Sequence, residues 1–95
     1  LVFIPNTFTP NGDGLNDYFF PRGEGIERMG VFRVYNRWGE LVFERSNAVL
    51  NDERGGWDGS FKGKSLAPDV YMYTMQSTCS SGDIIEWKGD VTIVR

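Results

Sequence analysis

The chain has 95 residues, 40% hydrophobic and 15% aromatic, which suits one small domain around a single core and excludes a disordered tail. Ten Lys and Arg against 13 Asp and Glu give a formal net charge of −3 with no basic block, which argues against a nucleic-acid or acidic-lipid surface. With one cysteine, no histidine and no long apolar run, the sequence offers no internal disulfide, no Ser-His or Cys-His pair, no zinc centre and no membrane-spanning segment.

In chain order, residues 1–5 read as a first strand that Pro5 ends. The chain opens on this strand without a signal peptide, which leaves a cytoplasmic domain or a piece cut from a longer exported protein, and the missing starting Met favours the second expectation. Residues 6–17, NTFTPNGDGLND, are packed with turn formers and predict a rigid loop rather than a helix or strand. Asn and Asp side chains there can bond their own backbone, and Gly12 and Gly14 can take positive φ. Residues 18–20 predict a short strand stopped by Pro21, and the polar residues 22–28 a connection.

Residues 29–37 give a clear strand, with Phe32 and Val34 on the core side and Val31, Arg33, Tyr35 and Arg37 on the other. A return strand over 40–44 makes a hairpin. A type I turn over Arg37 and Trp38 with Gly39 as a left-handed bulge suits that tip, because positive φ would strain a Trp. Residues 45–56 are polar and irregular, long enough to look functional or mobile. In GWDG, Trp57 reads as a core anchor beside Gly56 and Gly59. A small strand and turn over 60–64 and a turn at Ala67-Pro68-Asp69 follow.

Residues 70–79 form the second clear strand, with Tyr71, Tyr73, Met75, Ser77 and Cys79 on one face. A turn over 80–83 leads to a partner strand over 84–88, Gly89-Asp90 interrupts, and 91–94 make the last strand. Short strands at this spacing predict an all-β chain, an antiparallel β-sandwich of about seven strands forming one domain over 1–95.

Several residues carry two readings each. Asn11, Asp13 and Asp17, with the Leu15 carbonyl between them and Asp58 from the WDG turn, supply oxygens in a pattern that fits a calcium loop. The full twelve-residue loop motif is absent, and a self-capped Asx corner explains the same residues. Trp38 is either core or an exposed contact at a hairpin tip. Arg33, Tyr35 and Arg37 form either a recognition face or a solvated one. Cys79 reads as an inert small hydrophobe. Nothing marks a substrate cleft, so no enzyme is expected.

Five motifs in order are together diagnostic: IPNTFTPNGDGLND, FRVYNRWGELVFE, GGWDG, APDVYMYTM and KGDVTIVR. The sequence resembles the gliding-motility-associated C-terminal domain, the type B sorting domain of the bacterial type IX secretion system, over essentially its whole length. One departure is Leu66-Ala67-Pro68, where the family commonly carries two prolines. The resemblance implies an immunoglobulin-like β-sandwich anchored by Pro10, Gly12, Gly14, Trp38, Gly39, Trp57, Gly59 and Tyr71. It implies a non-catalytic address for a large passenger upstream in the same chain, such as a Bacteroidetes gliding adhesin. The passenger would cross the periplasm and outer membrane to the cell surface or medium, and a PorP/SprF-type outer-membrane partner would read the folded surface. An edge strand near 91–95 is the expected contact, with Lys88, Gly89, Val91, Ile93 and Arg95 as its residues. The alternative is a carbohydrate- or protein-binding adhesion module using Trp38 and the polar loops. A calcium-rigidified spacer is a third reading.

Overall fold

Two long strands, β8 (Val70–Thr78) and β9 (Ile84–Ile93), pair antiparallel along their whole length and form the spine of the molecule. The computed structural model describes residues 2–23, 28–78 and 81–95. The other strands described are β1 (Val2–Phe3), β2 (Thr7–Phe8), β3 (Arg22–Gly23), β4 (Arg28–Tyr35), β5 (Leu41–Arg45), β6 (Ser60–Phe61) and β7 (Lys64–Ser65). A five-stranded sheet runs in the order β2-β9-β8-β4-β5, and β1-β3 and β6-β7 form two short antiparallel pairs. The one helical piece described is a 3-10 turn, Glu53–Gly55, capped by Asp52.

The layers meet through aromatic rings. Phe32 and Val34 of β4, Tyr71, Tyr73 and Met75 of β8, and Val91 and Ile93 of β9 face inward from the sheet. Phe19 and Trp57, joined by an antiparallel bridge, close over them. Phe19 lies 5.4 Å from the Tyr73 ring and 5.5 Å from Phe32, and Trp57 lies 5.2 Å from Tyr71 and 5.5 Å from Phe8. Burying each large side chain contributes about 1.5–3 kcal/mol over leaving it in water, so this cluster is the main source of stability. The β-sandwich is the expected architecture.

The hairpin between β4 and β5 forms as its residues predict. The Gly39 amide donates to the Asn36 carbonyl at 2.9 Å, and Gly39 sits at φ +82°. The Asn36 side chain accepts from the Trp38 and Glu40 amides, which locks the tip. Between β6 and β7, Lys62 and Gly63 both take positive φ, the turn that matches strand twist. At the start of β8 the Tyr71 hydroxyl donates to the Ala67 carbonyl at 2.8 Å. This is the tyrosine corner of immunoglobulin-like sandwiches.

Four expectations need correction. Thr7–Phe8, inside the stretch read wholly as loop, forms β2 and pairs parallel with the end of β9, so the sheet is mixed. Phe8 is 2% exposed, and burying its ring outweighs the turn chemistry around it. Arg22–Gly23, read as connection, pairs with β1, and the Asn51 side chain both accepts from the Gly23 amide and donates to its carbonyl. Gly89 does not interrupt the last strand: β9 is continuous, and the Tyr73 ring lies over Gly89 where a side chain would otherwise stand. Simple alternation fails in β4, where Met29 and Phe32 are both buried because the register with β8 shifts between them. Within residues 45–56, Ala48 is buried and Arg45 pairs with Asp52 at 2.9 Å. Cys79 lies outside the described residues, as does part of the turn expected over 80–83.

Candidate functional site

The loop over residues 9–17 bonds chiefly to itself. One Asp17 carboxylate oxygen accepts from the Asn11 and Gly12 amides at 3.1 and 2.9 Å, and the other from Gly14 at 2.7 Å. Asn11 Oδ1 accepts from the Asp13 amide at 3.1 Å, and Asp13 Oδ1 from Leu15 at 2.8 Å. Three N–H groups converging on one carboxylate hold the chain in a tight nest, and Gly12 and Gly14 supply the positive φ it needs (+79° and +84°).

Of the residues expected as calcium ligands, Asp17 and Asp58 come together. They flank one shallow cleft with Pro10, Gly12 and Tyr18. Asp58 Oδ1 already accepts from the Ser60 amide at 3.0 Å and from its hydroxyl. Asn11 and Asp13 turn one oxygen each back onto their own loop. Calcium takes six to eight oxygens. Among the described residues no group of three or more His, Cys, Asp or Glu is placed to hold a metal ion.

Arg95 joins three segments at the same end of the sandwich. Its Nη1 donates to the Pro10 carbonyl at 2.8 Å, and its Nη2 and Nε donate to the Leu66 carbonyl at 2.8 and 3.2 Å. Nearby, the Ile93 amide donates to the Asp69 carbonyl at 2.9 Å. The Asp69 carboxylate also meets Arg37 of the hairpin tip at 3.5 Å. A continuous row of contacts thus runs from the 9–17 loop through Arg95 and the 66–69 turn to Arg37 and Trp38. Trp38 ends that row 80% exposed, with the Arg37 guanidinium 5.8 Å from its ring centroid. Gly59 lies under Pro10, where an added Cβ would come within 3.0 Å of the proline ring.

Two buried tyrosines of β8 hold their protons more tightly than a free phenol does. Burial raises the Tyr71 phenol above its usual range; Asp69 adds to the rise, and Arg95 opposes it. Burial likewise raises Tyr73, with Asp90 adding to it.

The residues expected on an edge strand separate. Val91 and Ile93 are 0% and 1% exposed, so their side chains belong to the core. The strand is not an edge there, because β2 occupies its free side: the Thr92 and Val94 amides donate to the Asn6 and Phe8 carbonyls. Lys88 is exposed, and Gly89 lies against Tyr73. Trp57 is buried and its Nε1 donates to the Ser60 carbonyl at 2.9 Å. Arg33 pairs with Glu44 across the hairpin, on a largely solvated face. The carbonyls of Pro10, Leu66 and Ala67 escape sequence reading because every residue type carries a carbonyl; an arginine after the last strand is the only signal.

Comparisons with known proteins bear on the family and the fold. Residues 2–93 match the family model described as the CHU_C type IX secretion signal domain. No curated protein matches the chain. Among solved structures, CopC from Methylosinus trichosporium OB3b is similar in fold, with a TM-score of 0.59 and 20% identity over 96% of this chain and 84% of that one.

Proposed function

Because the chain belongs to the CHU_C type IX secretion signal domain family, we propose that it directs a passenger through the outer membrane by presenting a folded surface to the export machinery. The passenger is a large protein in the same polypeptide, delivered to the cell surface or medium. The surface we assign is the row from the 9–17 loop through Arg95 and Asp69 to Trp38. The observation that carries it is the Arg95 fork, which joins Pro10 and Leu66 from distant parts of the chain. A row assembled this way exists only once the sandwich has formed, so it reports folding as well as identity. The partner is a PorP/SprF-type outer-membrane component.

The test is a fluorescent reporter with an inner-membrane signal and residues 1–95 at its end, expressed in a Bacteroidetes host with and without the type IX machinery. Surface or medium fluorescence in the first strain alone supports the reading. Periplasmic retention in both, with the partner supplied, overturns it.

Trp38 also favours a second reading, an adhesion module, because an exposed indole beside a cation can stack on a sugar. Saturable binding of the isolated domain to a glycan array, lost in Trp38→Ala, would support that reading.

A further inference from the structure

Among the described residues, the other half of β9 is an open edge. The Thr92 and Val94 amides point to β2 and the Ile93 amide to the opposite side. Backbone groups alternate along a strand, so the amides and carbonyls of Glu86, Lys88 and Asp90 point the same way as those of Thr92. Pairing with β2 covers only Thr92 and Ile93, and among the described residues no strand lies beside Ile84 to Asp90 on the side away from β8. The segment runs in unbroken register with β8, and it exposes Ile84 (67%) and Ile85 (41%) at its far end. A regular, unpaired strand of this kind is a template for another strand.

We propose that this edge pairs antiparallel with the same edge of a second copy of the chain, joining two five-stranded sheets into one. The charge pattern selects both the partner and the register. With the two-fold axis at Trp87, Glu86 faces Lys88 of the second copy and Lys88 faces its Glu86. Ile84 then faces Asp90, and Ile85 faces Gly89, which has no side chain to obstruct it. Moving the axis to residue 86 sets Glu86 against itself. Moving it to residue 88 sets Lys88 against itself and Glu86 against Asp90. An axis at residue 89 matches Lys88 with Asp90 but needs the edge of Thr92, which β2 already fills. Like charges directly opposite are destabilising and opposite charges stabilising, so the axis at Trp87 is favoured. Within one chain Lys88 and Glu86 meet at only 3.5 Å, with side chains 72% and 52% exposed, and such a pair is readily exchanged for a cross-strand one.

Sedimentation velocity of the 95-residue chain at low salt, across micromolar to millimolar concentration, tests this. Wild type should show a concentration-dependent monomer–dimer equilibrium. Glu86→Lys and Lys88→Glu should each weaken it by about tenfold, because each replaces two attractive pairs by two repulsive ones. The double reversal, E86K with K88E, should restore it, since the charges again face their opposites. Amide exchange followed by NMR should show the Glu86, Lys88 and Asp90 amides gaining protection with concentration in wild type but not in the single variants. A wild-type chain that stays monomeric throughout overturns the proposal and leaves the edge to a strand from another protein. A dimer indifferent to both single reversals overturns it as well.

Discussion

The Arg95 guanidinium reaches the Pro10 carbonyl at 2.8 Å although 85 positions separate them in the chain. The same fork closes on Leu66, so one side chain ties the N-terminal loop, the turn before β8 and the end of β9 together. Charge-assisted bonds from a guanidinium to carbonyls are stronger than neutral ones. Arg95→Ala should therefore lower unfolding free energy in urea by about 1–3 kcal/mol. Arg95→Lys should recover only part of this, because a single ammonium cannot span both acceptors in the planar fork geometry. In the reporter assay both variants should lower surface display more than they lower the folded fraction.

Asp17 should matter to the loop more than Asn11 or Asp13, since it accepts from three amides and each of them from one. Asp17→Ala should cost about 1–3 kcal/mol and Asn11→Ala or Asp13→Ala about 1 kcal/mol or less, read by urea unfolding. Because these oxygens are satisfied by backbone amides, EDTA should leave the melting temperature unchanged. A rise of several degrees on adding calcium would assign the cleft between Asp17 and Asp58 to that ion.

Gly89 and Tyr73 are coupled by contact. A Cβ on Gly89 would come within 2.7–2.9 Å of the Tyr73 hydroxyl and ring carbons. Gly89→Ala should destabilise by about 1–3 kcal/mol. Combined with Tyr73→Leu it should cost less than the two single changes added, which a double-mutant cycle measures directly.

Ionisation of Tyr71 and Tyr73 should leave stability unchanged near neutral pH and lower it in alkali. Both phenols have folded pKa values raised above 10.0, the usual value, so the folded state holds these protons more tightly than the unfolded chain. Their contribution is complete below the unfolded pKa and is lost as pH rises through the folded ones. Urea midpoints at pH 8 and in steps above pH 10 should show the loss. Tyr71→Phe should flatten it while lowering stability at pH 8 by about 1–2 kcal/mol, since the Ala67 carbonyl loses its donor.

Trp38→Ala should leave unfolding free energy within about 0.5 kcal/mol of wild type, as expected for an exposed side chain. Its effect should fall on function: normal melting with reduced surface display of the reporter. Unchanged display would remove Trp38 from the recognition row.

Sequence reading located what depends on neighbours along the chain. The Arg37-Trp38-Gly39 turn, the alternation of Tyr71, Tyr73 and Met75, and the nest around Gly12 and Gly14 rest on contacts between residues at most six positions apart or on strand period. It erred where a distant partner changed the outcome. Phe8 joins β9 because a buried aromatic and two waiting amides outweigh its turn-forming neighbours. Gly89 stays in its strand because Tyr73 fills the space over it. Val91 and Ile93 were expected at an edge, but strand order, which no local pattern carries, places β2 there.

The sequence by itself determined an all-β chain without the residues for Ser-His or Cys-His chemistry, the hairpin, the place of the turn-rich acidic loop and, through five ordered motifs, the family. Those features are short-range, or are written in residue identity. Only the tertiary structure decided that Arg95 clasps Pro10 and Leu66, that Asp17 and Asp58 share a cleft, and that, among the described residues, β2 covers the edge of β9 at Thr92 and Ile93 and leaves 84–90 open. Each of these depends on backbone carbonyls and on strand order. A carbonyl is common to every residue type, and strand order is set by long-range burial of rings such as Phe8, Phe19 and Trp57, so neither leaves a mark on the residues that come to share a surface.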